Sequence, residues 1–407
     1  MASTNTNTMY ADLIARFPTS EALFAYLRSE EGGRLIIRDD HLTADLPLTI
    51  IFYDKKKSDM TNPLTHAFRS VVWNALTNRP VAAAPHRGVA LPAELPSTVG
   101  PFTVEEFIDG VMLNQWWNGE TWQVSTRTQL DAGGSFYGKR PFATLFTEAF
   151  AAAGLREDQL DKSVVYSWVL QHPEERIVVS PAYGVPKLWL VERSSFDAAG
   201  VRRLLTTPLS VDSPLIPHLP QTFDLHTVTD IQARVSANGR RLGAGWQGVV
   251  VKVARTGLRY KLRSVQYNAA RMLRGNQAKL QYLWLERWSE GQGKLTNYLR
   301  VFPEEEHAAN ETVSAFKVAT QEFHDTYLKV YKHRTLKLGD APIKYRKLIW
   351  EARQANVGTY FPSLREFMNK QDTPRKLWLV NFEKRYPTSA EAAATGGASA
   401  VEATTTD

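Results

Sequence analysis

The sequence contains no cysteine among its 407 residues. That excludes a disulfide scaffold, a thiolate nucleophile, an iron–sulfur cluster and any Cys-ligated zinc site. Its nine histidines form no His-Glu-x-x-His or His-x-His pairing, so a zinc hydrolase is not expected. No Gly-x-Ser-x-Gly elbow occurs. Gly133 to Arg140 approaches a P-loop, but Arg140 stands where a Ser or Thr would hold magnesium, and the segment reads as a glycine-rich turn. No run approaches the roughly 18 consecutive apolar residues of a membrane span, and the first residues, Met1-Ala2-Ser3-Thr4, lack the basic and apolar regions of a signal peptide. The expectation is a cytoplasmic protein with no membrane partner, whose chemistry rests on oxygen and nitrogen groups.

What the chain does have is positive charge, 49 Lys plus Arg against 42 Asp plus Glu, and aromatic residues, 11% of the total with 11 Trp. A 43% apolar, 22% charged composition is that of an ordinary globular protein, long enough for two or three domains. The charge is uneven. Lys252 to Arg300 carries 11 Lys or Arg and 2 acidic residues, so this stretch alone exceeds the net +7 of the whole chain. Arg255, Arg259, Lys261, Arg263, Arg271, Arg274 and Lys279 run through it with Tyr260, Tyr267, Tyr282, Trp284 and Trp288 interleaved. Cations neutralise phosphates without regard to sequence, and exposed aromatics stack bases. The plainer alternative for Trp284 and Trp288 is an amphipathic helix that turns them to a core.

Between Leu48 and Lys261 the patterning predicts short strands: 48–53, 70–73, 111–117, 122–126, 164–170, 176–179, 187–192, 248–253 and 259–263. Trp117-Asn118-Gly119-Glu120 predicts a hairpin turn. Helical spacing is expected over 142–153 and 195–205. From Gln266 onward long helices are expected, roughly 266–290, 309–332, 342–355 and 363–383. This places an α+β domain over residues 10–265 and a helical one over 266–386. The first nine residues and 387–407 are small and polar, and are expected to be disordered.

Particular strings carry more than composition. Glu105-Glu106-Phe107-Ile108-Asp109-Gly110 precedes an apolar strand and Ser125-Thr126-Arg127. Downstream come Tyr166 to Val179, a strand ending Val191-Glu192-Arg193, then Gln247-Gly248-Val249-Val250-Val251-Lys252 and Tyr260-Lys261-Leu262-Arg263. In order and spacing these resemble the covalent nucleotidyltransferase superfamily, and most the RNA ligases of phages and large DNA viruses, over about residues 10 to 385. The resemblance implies an antiparallel-sheet nucleotidyltransferase domain followed by a helical C-terminal domain.

In that family a lysine in the pattern Lys-x-Asp-Gly attacks the α-phosphate of ATP and passes the adenylate to an RNA 5′-phosphate. Only a neutral amine can do this. The matching residue here is Phe107, which has no lone pair. The family's metal-organising glutamate corresponds to Gln247, a poorer ligand for a hard cation, and its ribose-binding glutamate to Val169, after Trp168. What persists is Asp109-Gly110, which as a turn dipeptide has a backbone reason to stay, together with Arg127, Lys252, Lys261 and Arg263. Cations alternating along a strand project to one face and can hold phosphate.

The sequence therefore predicts a non-enzymatic, RNA-ligase-like protein, phage or viral in origin, that binds RNA through a basic surface and uses no cofactor or metal. Two alternatives stand beside it. One is an active ligase using ATP and magnesium, with its lysine displaced to Lys139 or Lys252. The other is a structural or assembly protein of a virion.

Overall fold

The computed structural model describes residues 7–39, 47–95, 99–291 and 293–386. The segments expected to be disordered lie outside these residues, apart from residues 7–9, where a turn leads into the first helix. The chain divides into two compact units, Met1–Gly275 and Asn276–Asp407.

The first unit is α+β and built on three sheets. One comprises β1 (Ile36–Asp39), β2 (Leu48–Phe52), β3 (Val71–Asn74) and β4 (Arg79–Ala83), paired antiparallel in chain order. A second contains β5 (Val89–Ala90), β6 (Thr103–Glu106), β12 (Thr222–Phe223), β13 (Gly248–Val253) and β14 (Leu258–Arg263) in the order β12-β6-β13-β14-β5, antiparallel except for the β14–β5 pair. The third contains β7 (Val111–Trp117), β8 (Trp122–Ser125), β9 (Val165–Gln171), β10 (Lys187–Phe196) and β11 (Arg202–Leu204), ordered β11-β10-β9-β7-β8 and antiparallel throughout.

The second sheet positions the site, and its two faces follow from side-chain alternation. On one face Val249, Val251, Val104, Tyr260 and Leu262 pack with Ile231 and Val235 of helix α5 (Val228–Leu242). Each such fully buried aliphatic contributes roughly 1.5–3 kcal/mol. The register Gly248↔Arg263, Val250↔Lys261 and Lys252↔Arg259 puts the cations together on the opposite face. The helices α1 (Met9–Arg16), α2 (Ser20–Arg28), α3 (Pro63–Ala67) and α4 (Phe142–Ala152) pack on the other sheets, and α6 (Val265–Arg274) closes the unit.

Several predicted elements take a different form. Residues 176–179 are a loop rather than a strand, because the amides of Val178 and Val179 are taken by the Asp109 carboxylate. The helix expected over 195–205 is a β-hairpin. Asp197 accepts from the Ala199 and Val201 amides, Gly200 adopts φ +88°, and Arg202 ion-pairs with Glu192 on the adjoining strand. Helix α5 was not anticipated, although Thr227 caps it and Gly243 ends it at φ +63°.

The second unit is helical, with α7 (Leu280–Ser289), α8 (Lys294–Val301), α9 (Glu306–Tyr327), α10 (Ile343–Gln354), α11 (Phe361–Asn369), α12 (Thr373–Val380) and α13 (Phe382–Arg385). The stretch expected as one helix over 266–290 is broken after Gly275 at φ +65°. Trp284 is buried and donates to Glu305, and Trp288 packs edge-on against Phe316. Both serve the core of the second unit. No helix of the described residues is long and apolar enough to cross a membrane.

Candidate phosphate-binding site

A cavity of about 180 Å³ opens on the cationic face of the second sheet, lined by Arg69, Glu105, Glu106, Phe107, Asp109, Gly110, Val169, Val250, Lys252, Arg259, Arg263, Tyr267 and Arg271 among others. Gln247 also lines it, buried, with its Oε1 unpartnered. All three departures from the family pattern, Phe107, Val169 and Gln247, thus meet at one cavity. Trp168 does not, since it alternates to the other face of β9 and joins the core beneath α4.

Both carboxylate oxygens of Asp109 are engaged by structural bonds. One carboxylate oxygen accepts from the Val178 and Val179 amides at 2.9 and 2.8 Å, the other from the Tyr267 hydroxyl at 2.6 Å. It therefore clamps the 176–179 loop and α6 to the end of β6. Burial and the facing carboxylate push the Tyr267 hydroxyl up, which keeps it protonated as the donor. Gly110 belongs to the same clamp. At φ +149° a Cβ there would lie 2.3 Å from the Leu170 carbonyl oxygen.

The cations differ in what holds them. Lys252 Nζ donates to Glu105 and to the Val191 carbonyl, each at 2.5 Å. Arg263 lies over the Phe107 ring at 5.2 Å. Arg259 is 7% exposed, and its Nε and Nη1 reach no acceptor among the described residues. Burial lowers its affinity for its proton, with Glu192 and Glu105 opposing. Both carboxylates are already engaged, Glu192 by Arg202 and Glu105 by Lys252. A buried guanidinium with unfilled donors is costly unless a ligand supplies oxygens.

Around the mouth the positive charge continues. Lys261 is pushed down to about 8 by burial and by Arg263, Arg87, Arg69 and Lys55. Lys55, exposed on its turn, is also lowered, by partial desolvation and then by Arg271, Arg87, Arg127 and Arg263. Of the residues singled out in the sequence, Lys252, Arg259, Arg263 and Arg271 line the cavity, and Lys261 and Arg127 lie within its cationic surroundings. Arg274 is instead buried, donating to the Arg176 carbonyl and lying 4.0 Å from the Tyr137 ring centroid. Arg255 is exposed beside Gly100, and Lys279 is exposed in the second unit, ahead of α7. Lys139 is exposed on a loop and does not line the cavity. Lys55 and Arg87, which stand outside the lining, were not singled out, and Arg69, which lines the cavity, was missed as a site residue. The Lys55-Lys56-Lys57 run at the end of β2 was the one available signal for the first of them.

The cavity suits a polyphosphate or a terminal phosphate, since its unfilled donors are guanidinium N–H groups. Among the described residues no three His, Cys, Asp or Glu come together to hold a metal ion by themselves. A divalent ion there would take one or two carboxylate oxygens, Glu106 being the candidate, and the rest from phosphate and water.

No protein-family model matches the chain, and no curated protein matches it. Similar solved structures are an archaeal ATP-dependent RNA ligase (14% identity, TM-score 0.40, covering 92% of this chain and 98% of that one) and a putative ATP-dependent DNA ligase from Aquifex aeolicus (14%, 0.37, 86% and 85%). A mutant Naegleria gruberi RNA ligase with AMP and Mn is similar over a shorter range (15%, 0.30, 52% and 66%). The archaeal and Aquifex neighbours are ATP-dependent ligases, the latter putatively, and Naegleria RNA ligase structures hold ATP, AMP and Mn. Two expectations are corrected accordingly, that the chain is not an enzyme and that it takes no cofactor. The physical reason they were misdrawn is that Phe107 removes an amine from one sequence position only. The fold brings the Lys252 amine to the same cavity and sets Lys261 among its cations.

Proposed function

We propose that the chain is an RNA-binding protein of ligase-like fold whose cavity receives phosphate, from ATP or from the 5′ end of an RNA strand. The observation that carries this reading is Arg259, a buried guanidinium with two nitrogens that reach no acceptor among the described residues, lining a cavity shared with Arg263, Arg271 and Lys252. Lys252 neutralises Glu105 without leaving the cavity, so Arg259 keeps its donors for a ligand. Asp109 and Tyr267 hold the walls in place rather than bind.

Titration of 5′-phosphorylated and 5′-hydroxyl fluorescent RNA, with ATP as competitor, at several salt concentrations tests the reading. The phosphorylated strand is expected to bind more tightly, with log affinity falling steeply against log salt. Failure of both RNA and ATP to bind at about 50 mM salt sinks it.

One observation favours a second reading, an active ATP-dependent ligase. Lys261, with its amine pushed down to about 8, has a neutral, nucleophilic fraction at mildly alkaline pH. Incubation with labelled ATP and magnesium at pH 8 would then yield an acid-labile protein–AMP adduct that Lys261→Arg abolishes. A protein that never acquires label removes this reading and leaves phosphate binding intact.

A further inference from the structure

Three segments distant in sequence place cations beyond the lining of the cavity. Lys55 sits on the turn after β2, which is fixed by the Asp54 carboxylate accepting from the Lys56 amide and by the Ser58 amide donating to the Asp54 carbonyl. Arg127 sits on the turn after β8, where the Thr126 amide donates to the Gln129 carbonyl, and its Nη1 donates to the Tyr53 carbonyl at 2.9 Å. Arg87 precedes β5. Its amide donates to the His66 carbonyl, and its Nη1 lies 3.1 Å from His66 Nε2. The guanidinium groups of Arg87 and Arg127 lie 5.9 and 5.7 Å from the centroid of one ring, that of the buried Tyr53.

Arg87 and Arg127 are held by a carbonyl, a ring and an imidazole, and neither they nor Lys55 forms an ion pair with a carboxylate among the described residues. Elsewhere in the molecule Arg140, Arg202 and Lys344 are all neutralised by carboxylates. The segment that follows Arg87 also runs beside the strand that carries Lys261. The parallel pairing of β5 with β14 sets Ala90 against Lys261, and a Cβ on Gly88 would lie 3.7 Å from Lys261 Cδ. Arg87 and Arg263 lower both Lys55 and Lys261, in keeping with one cationic neighbourhood.

We propose that Lys55, Arg87 and Arg127 form an outer subsite for the phosphodiester groups of an RNA strand whose terminal phosphate sits at Arg259. This rests on the reading of the cavity given above. A row of cations leading away from a phosphate-sized cavity fits a polyanionic chain rather than a mononucleotide. Because Tyr53 is buried under the two guanidinium groups, the subsite contacts backbone and reads no base.

The test compares two ligands, ATP and a 5′-phosphorylated RNA decamer, on the full-length protein and on its Lys55→Glu and Arg87→Glu variants, with circular dichroism to confirm folding. Lys55 lies on an exposed turn, so its variant remains informative if Arg87→Glu fails to fold. The expected result is an RNA affinity reduced at least tenfold at about 50 mM salt, with the log–log salt slope less steep by about 0.7 for each phosphate that is no longer neutralised. ATP affinity is expected to stay within about threefold. Equal losses for ATP and RNA would overturn a separate subsite, and so would unchanged RNA binding with an unchanged salt slope. Displacement of the RNA by polyglutamate at matched charge would overturn its assignment to phosphodiesters. If the unmodified protein binds neither ATP nor RNA, the cavity reading itself fails, an outcome distinct from the others.

Discussion

Replacing Arg259 by methionine separates stability from binding in a way that few surface changes could. The side chain is almost wholly buried, and its Nε and Nη1 have no acceptor among the described residues. Each unsatisfied buried donor costs about 1–3 kcal/mol. Removing the guanidinium strands no carboxylate, because Glu192 stays paired with Arg202 at 2.7 Å and Glu105 with Lys252 at 2.5 Å. Methionine is unbranched and flexible enough to fill the space. Arg259→Met is therefore expected to raise the unfolding free energy of the free protein by about 1–3 kcal/mol. At roughly 2–4 °C per kcal/mol for a unit of this size, the rise in Tm is measurable. The same change removes charge-assisted hydrogen bonds to phosphate worth about 1.5–3 kcal/mol, weakening ATP or RNA binding about 10- to 150-fold. Urea unfolding followed by tryptophan fluorescence gives the first quantity, and ligand titration the second. Arg202→Met is the contrast, since it leaves Glu192 buried and unpaired and is expected to cost about 3–5 kcal/mol. A variant at 259 that is less stable than the parent by more than about 1 kcal/mol, or that binds phosphate ligands as well, would refute the assignment of Arg259 as a ligand residue held under strain.

Three further outcomes are expected. Burial and neighbouring cations push Lys261 down to about 8, so its charge is expected below that pH and lost above it. RNA affinity should fall as pH rises through about 8, and Lys261→Gln should flatten the profile; a profile identical in the variant would show that another group is responsible. The folding sign is the reverse. A lysine with a depressed folded-state pKa opposes folding most while both states are protonated, and stability recovers between about 8 and the unfolded value near 10.4. Asp109→Ala strands two amides and a hydroxyl and is expected to destabilise the protein by about 3–5 kcal/mol, against about 1–2 for Tyr267→Phe, in urea titrations; near-equality of Asp109→Ala with the parent would undo the clamp. Gly110→Ala drives a Cβ to 2.3 Å from the Leu170 carbonyl oxygen and should lower Tm by several degrees, a loss that a neutral result would contradict.

The valine strand 248–253 and the Lys-Leu-Arg strand beside it were legible in the sequence, because period-2 alternation reports a two-faced strand without tertiary information. The hairpin at Asn118-Gly119 and helix α4 were legible for similar local reasons. The 195–205 segment misled, since its local spacing suits a helix. It becomes a hairpin because Arg202 finds Glu192 across a strand pair, a contact that no local window contains. The 176–179 run misled likewise, its amides being claimed by a carboxylate some seventy residues earlier.

By itself the sequence determined that no thiol chemistry is available, that positive charge is concentrated between Lys252 and Arg300, and that residue 107 offers no amine. Tertiary structure decided which charges matter. It turned Arg274 inward onto a carbonyl, occupied Lys252 with Glu105, left two nitrogens of the buried Arg259 without acceptors among the described residues, and brought Lys55, Arg69 and Arg87 from the first third of the chain to the surroundings of Lys261. Charge is a property of residues, readable one at a time. Whether a charge is spent on the fold or kept for a ligand depends on which groups the fold places within a few ångströms of it.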